Sequence, residues 1–277
     1  MKKYLGENLA RARERLGMTQ EKLAEQLDVS FQTVSNWERG ENLPDVMHLS
    51  QAAKVLGVSI DSLTSPDLEK PALRERFFDE NAMYTRVKAV AEACSLTQTL
   101  AALPYARAKH EGQWRKSIYS ETRIPYIYHP LTLACHALAM GLRDDRVLAT
   151  ALLHDVYEDC GVELDDLPVN DEIKEAVRLL SHNSYEGPDE ECDPIYYANI
   201  ASSPLAAVVK CLDRCHNLSS MALGFSREKI ASYIRGTEKY VVPILEKLSA
   251  LEPTYSNAAW LMKYQMLSLL EMAKRLV

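Results

Sequence analysis

Leu152-Leu153-His154-Asp155-Val156-Tyr157-Glu158-Asp159 sets four charged or metal-capable side chains into one apolar, helix-forming run. Glu158 lies four residues after His154 and three after Asp155, and Asp159 four after Asp155. On an α-helix those spacings return to one face. Three carboxylates on one face repel each other unless a cation sits among them. The preceding Arg146-Val147-Leu148-Ala149-Thr150-Ala151-Leu152-Leu153 reads as buried, so the spacing predicts a helix over 145–159 with the cluster at its inner end. Taken alone, the stretch fits either a metal site or a charged helix end with local pairing.

The chain of 277 residues is long enough for two domains, and 47% of it is hydrophobic, enough for a packed core. It contains no apolar run of 18 residues and no signal-peptide core at its N-terminus, so a cytoplasmic protein without a membrane partner is expected. The six cysteines include no CxxC pair, which argues against a thiolate zinc site and a disulfide framework. Cys211 and Cys215 read as buried free thiols. The net charge of −7 argues against a general nucleic-acid coat but leaves room for a local DNA-reading surface.

The N-terminal residues carry that surface. Leu5, Leu9, Ala12 and Leu16 mark an amphipathic helix stopped by Gly17. Thr19 is placed to cap a second helix, Gln20–Leu27, and Ser30 a third, Phe31–Arg39, ended by Gly40. Asp45 opens a fourth that ends at Gly57, and Ile60–Leu63 make a short fifth. The tight turn at Asp28-Val29 between the second and third gives helix-turn-helix geometry. The words MTQEKLA, VS and TVSNWERG, over residues 5–63, resemble the Cro/C1-type repressor family. The resemblance implies a core of Leu23, Ala24, Leu27, Val34 and Trp37. It also implies a DNA-reading set of Gln20, Ser30, Phe31, Gln32, Ser35 and Asn36. Gln and Asn can pair bidentately with adenine, and Phe31 can contact a thymine methyl. Because the domain is not basic overall, a homodimer on a two-half-site operator is expected.

Residues 64–75, with two prolines and mixed charge, mark the domain boundary, and a helix is expected from about Leu73 through Ala93. The domains read as 1–64, a connector over 65–96, and 97–277. The second domain reads as helical throughout, with no convincing strand. Pro130 suits the first turn of a helix and puts His129 at its start.

Four words in order then carry a second resemblance: KHEGQWRKS, IPYIYHP, ALLHDVYED and KCLDRCHN, spanning residues 97–222. They resemble HD-domain phosphohydrolases, and within them the (p)ppGpp hydrolase domain of the RelA/SpoT family and its small relatives. The implied fold class is all-α: a five-helix Cro/C1-type domain plus a helical HD domain. The implied metal ligands are His129, His154, Asp155 and Asp213, holding one divalent ion per chain, Mn²⁺ by family usage. Glu158 and Asp159 match the catalytic acidic pair; Arg115, Lys116 and Asn217 match nucleotide-binding residues. The implied activity removes the 3′-pyrophosphate of (p)ppGpp. His110 fits a structural role and a substrate contact equally, while His136, His182 and His216 read as structural or exposed. His48 belongs to the first domain. Eight residues, SIYSETRI, separate Lys116 from Pro125 where the family has about three, and with 277 residues no synthetase domain is expected. Two alternatives stay open: a nucleotide-responsive regulator with a non-catalytic HD domain, and an HD phosphohydrolase of another nucleotide.

Overall fold

The computed structural model describes residues 2–58, 60–64, 79–115, 124–185, 188–223, 225–275 and 277. Lys116, the inserted residues 117–123 and the boundary segment 65–78, where a helix was expected to start, lie outside the described residues. Two compact units divide the chain, Met1–Phe77 and Phe78–Val277.

Among the described residues the first unit has five helices: Lys2–Arg15, Gln20–Gln26, Phe31–Glu38, Val46–Leu56 and Ile60–Thr64. The capping residues act as their chemistry dictates. Thr19 Oγ1 accepts from Lys22 N at 3.2 Å, Ser30 Oγ from Thr33 N at 3.1 Å, and Asp45 Oδ1 from His48 N at 2.8 Å. Each satisfies an amide the helix cannot bond itself. Asp28 takes a positive φ of 53° in the turn between the second and third helices. Leu9, Leu23, Leu27, Val34, Trp37 and Leu63 form the core. Gly6 is where the first helix crosses the end of the third: a Cβ there would lie 2.5 Å from the carbonyl oxygens of Trp37 and Glu38.

The second unit is also helical. Its exception among the described residues is one antiparallel pair of two-residue strands, Trp114–Arg115 and Ile124–Pro125, with Arg115 opposite Ile124. Short apolar periodicity gave no sign of it. The helix Glu80–Ala93, assigned to the connector by sequence, packs on Thr97–Lys109 and Tyr128–Ala139 and belongs to this unit. At the centre runs Pro204–Ser220, covered by Asp145–Leu153, Tyr128–Ala139, Asp171–Leu180, Asp189–Ser202, Val242–Leu251 and Ser256–Ala273. Twelve of its side chains are buried, polar Asp213, Arg214 and His216 among them. Polar groups in a dry helix must find partners, and these make the site described below.

Two helical stretches are broken. Arg227–Leu251 is interrupted by a π-helical turn at Thr237–Val241, just before Pro243. Proline has no N–H to continue the ladder, and the widened turn offers Thr237 Oγ1 to the buried Arg214 Nη1 at 3.1 Å. The run over 145–159 divides into Asp145–Leu153 and Val156–Asp159, with a turn at His154-Asp155. Consecutive side chains on an unbroken helix diverge by about 100°. The break lets His154 and Asp155 face one point.

Asp145 fixes where this segment starts. Its carboxylate accepts from Gln98 N at 2.9 Å, Thr99 N at 2.7 Å and Thr99 Oγ1 at 2.7 Å, so it caps a helix 46 residues away in sequence. Asp145→Ala is expected to lower stability by about 1–2 kcal/mol, read as a fall of about 3–6 °C in the thermal midpoint of this unit.

Candidate functional site

Four donor atoms from two helices and one turn converge. His129 Nε2 lies 3.2 Å from His154 Nε2, 3.5 Å from Asp155 Oδ2 and 3.3 Å from Asp213 Oδ1. His154 Nε2 is 3.1 Å from Asp155 Oδ2. His129, His154 and Asp155 each offer a ligand atom within 4.8 Å of the others. Metal–ligand bonds of about 2.0–2.2 Å place neighbouring donors roughly 3 Å apart, so the set fits a divalent cation.

The tautomers fit as well. His154 Nδ1 is 2.9 Å from the Ala151 carbonyl and donates to it, which directs Nε2 inward. His216 Nδ1 accepts from Arg115 Nη1 at 3.2 Å, so His129 Nδ1, 2.7 Å away, is the donor of that pair. The lone pair of His129 Nε2 then faces the cluster. Fixing the remote nitrogen of an imidazole is how its metal-facing nitrogen is oriented.

Charge in the cluster is shared unevenly. Burial pushes His129 down to about 4, so it is neutral at pH 7. Burial also opposes a proton on His154, but Asp155 and Asp213 outweigh it and raise His154 to about 9. Burial pushes Asp155 up, yet His154 and His129 hold its carboxyl well below the usual range. Asp213 is likewise held low, because Lys210 and His129 outweigh burial. Lys210 Nζ lies 3.3 Å from Asp213 Oδ2. The Tyr126 hydroxyl donates to Asp155 Oδ2 at 2.7 Å.

The acidic pair separates. Glu158 Oε2 accepts from the His182 backbone N–H at 2.7 Å, which turns it toward the His182–Ser184 turn. Asp159 sits at the exposed rim, and partial burial with the negative charge of Asp155 raises its pKa. Arg115 is brought to Asn217, whose Oδ1 accepts from Nη2 at 3.1 Å; Asn217 Nδ2 in turn donates to Asp213 Oδ1. His216, read from sequence as structural or exposed, is buried and joins Arg115 to His129. Its position three residues after Asp213 on one helix was the available signal. Lys210, three residues before Asp213, carried the same signal, and Tyr126 had none. His110 is 2% exposed, its ring 4.8 Å from that of Tyr126, with Nδ1 2.7 Å from Gln113 Oε1; burial lowers its pKa.

In the first unit Ser30, Phe31 and Gln32 are exposed, Phe31 by 44%, and Asn36 is half-buried. Gln32 Nε2 and Arg39 Nη2 both donate to Asn36 Oδ1, at 3.0 and 2.6 Å. Ser35, expected on this face, is 6% exposed and its Oγ accepts from Arg39 Nη1 at 2.8 Å. It orients Arg39 and does not face outward. Gln20 Nε2 donates to Glu38 Oε2 at 2.6 Å, which holds the start of the second helix against the end of the third.

Residues 9–63 match the helix-turn-helix family model. An uncharacterised HTH-type transcriptional regulator of Sinorhizobium fredii is 41% identical over 71 residues, 26% of this chain and 92% of that protein. The chain belongs to the helix-turn-helix family through this segment. The second unit is similar to a guanosine-3′,5′-bis(diphosphate) 3′-pyrophosphohydrolase of Mus musculus, 28% identical over 151 residues, 52% of this chain and 83% of that protein. A GTP pyrophosphokinase of Streptomyces antibioticus is 31% identical over 199 residues, 70% of this chain. The chain spans 22% of that relative's length. A solved structure described as a metazoan orthologue of SpoT that hydrolyses ppGpp superposes with a TM-score of 0.51 at 24% identity, over 64% of this chain and 95% of that one. Among the described residues no helix is long and apolar enough to cross a membrane.

Proposed function

We propose that the chain is a cytoplasmic Mn²⁺-dependent hydrolase that releases pyrophosphate from the 3′ position of (p)ppGpp, fused to a domain that reads an operator as a homodimer. The observation that carries the hydrolase reading is the convergence of His129, His154, Asp155 and Asp213 beside the Arg115–Asn217 pair. The mouse relative's name supplies the substrate. In the first unit, the exposed Phe31 and Gln32 on a capped third helix support DNA reading.

His129, His154, Asp155 and Asp213 would hold the cation. When bound, it supplies Lewis-acid polarisation of a phosphoryl oxygen and acidification of a water. The remaining duties fall to side chains. Water adds to the phosphorus next to the ribose, the bond from that phosphorus to the 3′ oxygen breaks, and the 3′ oxygen leaves with a proton. Asp159, with its raised pKa, is suited to take the proton from the attacking water. Glu158 holds the His182 turn that walls this side. Tyr126 fixes the rotamer of Asp155, and Lys210 offsets the charge of Asp213. Arg115 offers a charged fork to the phosphates, with Lys116 and Asn217 as its expected companions in nucleotide binding.

The charge state of His154 has a measurable consequence. With a pKa raised to about 9, His154 is protonated at pH 7 in the metal-free protein. A cation must displace that proton to reach Nε2. Mn²⁺ binding at pH 7 is therefore expected to release about one proton and to weaken about tenfold per unit of pH lowered below 9. Calorimetric titrations in buffers of different ionisation enthalpy read the proton count directly. A count near zero at pH 7 contradicts this assignment.

The substrate reading is tested by offering ppGpp, pppGpp, GTP and GDP with Mn²⁺. Pyrophosphate is expected from the first two alone, with GDP and GTP as products. Faster release from a nucleotide lacking a 3′-pyrophosphate would overturn the substrate, and tight ppGpp binding without turnover would favour a sensor.

A further inference from the structure

The helix Ser256–Ala273 is apolar on two opposite faces. One face, with Met262, Met266 and Leu270, is buried against the rest of its unit. The other leaves Trp260 66%, Tyr264 67% and Met272 68% exposed, with Leu261 and Leu267 more than 40% exposed. Trp260 and Tyr264 stack on each other at 6.0 Å with their rings 4° apart. Large apolar side chains thus stand exposed on the face that its own unit leaves uncovered. Large contiguous apolar patches on a surface mark contact sites.

We propose that this face is where two copies of the chain pair, through an antiparallel two-fold contact of the Ser256–Ala273 helices centred on Tyr264. The size fits: Trp260 and Tyr264, about two-thirds exposed, present roughly 100–170 Å² each, and with Met272, Leu261 and Leu267 the five present on the order of 500 Å² per copy. The pair then buries on the order of 1,000 Å², which a specific contact needs. The sequence is complementary to itself about that centre. An axis at Tyr264 sets Leu261 against Leu267 and the large Trp260 against the small Ser268, whose Oγ is already bonded to the Tyr264 carbonyl at 2.8 Å. It also sets Asn257 against Glu271, a donor against an acceptor. Such isologous matching is what a two-fold contact requires. An anionic membrane is a poorer match, since such helices carry unpaired Lys and Arg beside the apolar face. Here Lys263 is paired with Glu246 at 3.1 Å, and Lys274 with Glu238 at 2.8 Å and Glu271 at 2.9 Å.

The inference rests on the homodimer reading above and assigns it a surface. The test uses neither DNA nor nucleotide: light scattering on the full-length chain after size-exclusion chromatography at micromolar concentration. The wild type is expected at twice the single-chain mass and the Trp260→Glu/Tyr264→Glu variant at the single-chain mass. The variant's helical circular dichroism and pyrophosphate release should be unchanged. Tyr264→Cys in a Cys94→Ser background is expected to form a disulfide-linked pair under mild oxidation. A wild type at single-chain mass overturns the homodimer altogether. A variant still at twice that mass overturns this surface alone, and a Tyr264→Cys chain that stays unlinked overturns the two-fold register.

Discussion

Asp155→Ala is expected to lower pyrophosphate release from ppGpp by about 10³-fold or more while leaving the fold intact. The size follows from how much converges on this carboxylate. Its Oδ2 is 3.1 Å from His154 Nε2, 3.5 Å from His129 Nε2 and 2.7 Å from the Tyr126 hydroxyl. Removing it takes away one of the proposed ligands and releases the tyrosine. It also removes the charge that, with Asp213, raises His154. A ligand loss exceeds the roughly 10–100-fold typical of losing an outer-shell partner. Residual Mn²⁺ binding, measured by calorimetry, should fall in parallel. An Asp155→Ala enzyme within tenfold of wild type would mean that the His129–His154–Asp213 remainder suffices, against the arrangement described.

Glu38→Ala is expected to destabilise the first unit by about 3 kcal/mol and to leave the second unit's melting and hydrolysis unchanged. Glu38 ends the third helix, Phe31–Glu38, and answers two other segments. Arg13 donates to it from Nε at 2.6 Å and from Nη2 at 3.0 Å, and Gln20 from Nε2 at 2.6 Å. Both side chains of the ion pair are largely buried, at 10% and 5% exposure. Truncating one partner leaves a guanidinium in a dry place with only Met18 O and the exposed Glu14 to answer it. The loss therefore exceeds that of a surface ion pair. Denaturant unfolding with probes in each unit would separate the two transitions. A Glu38→Ala chain within 1 kcal/mol of wild type would show the pair to be replaceable.

Much of this was legible in the residues. The caps Thr19, Ser30 and Asp45 announce helix starts because their side-chain oxygens have one efficient use there. His129, His154, Asp155 and Asp213, scattered over 85 positions, are brought together as the four words required. The break at His154-Asp155 was not legible. Apolar periodicity runs through it unchanged, and only the need for two adjacent donors to meet at one point exposes it. Glu158 and Asp159, which spacing had placed on one face, diverge as consecutive residues of Val156–Asp159: Glu158 turns to the His182 N–H and Asp159 stays exposed. Ser35 was misplaced because a small polar side chain suits an outer face as well as a buried one. Its partner Arg39 four residues on decides the matter. His216 and Tyr126 bond residues distant in sequence, His129 and Asp155, and no local pattern records those contacts.

The most direct measurement of the central claim is pyrophosphate release from ppGpp by the full-length chain, with Mn²⁺ and with the metal removed by chelation. The expected result is steady turnover to GDP and pyrophosphate with Mn²⁺, lost on chelation and restored on adding the ion back. No turnover from protein shown by calorimetry to hold Mn²⁺ would contradict the account and leave the site as one that binds without cleaving.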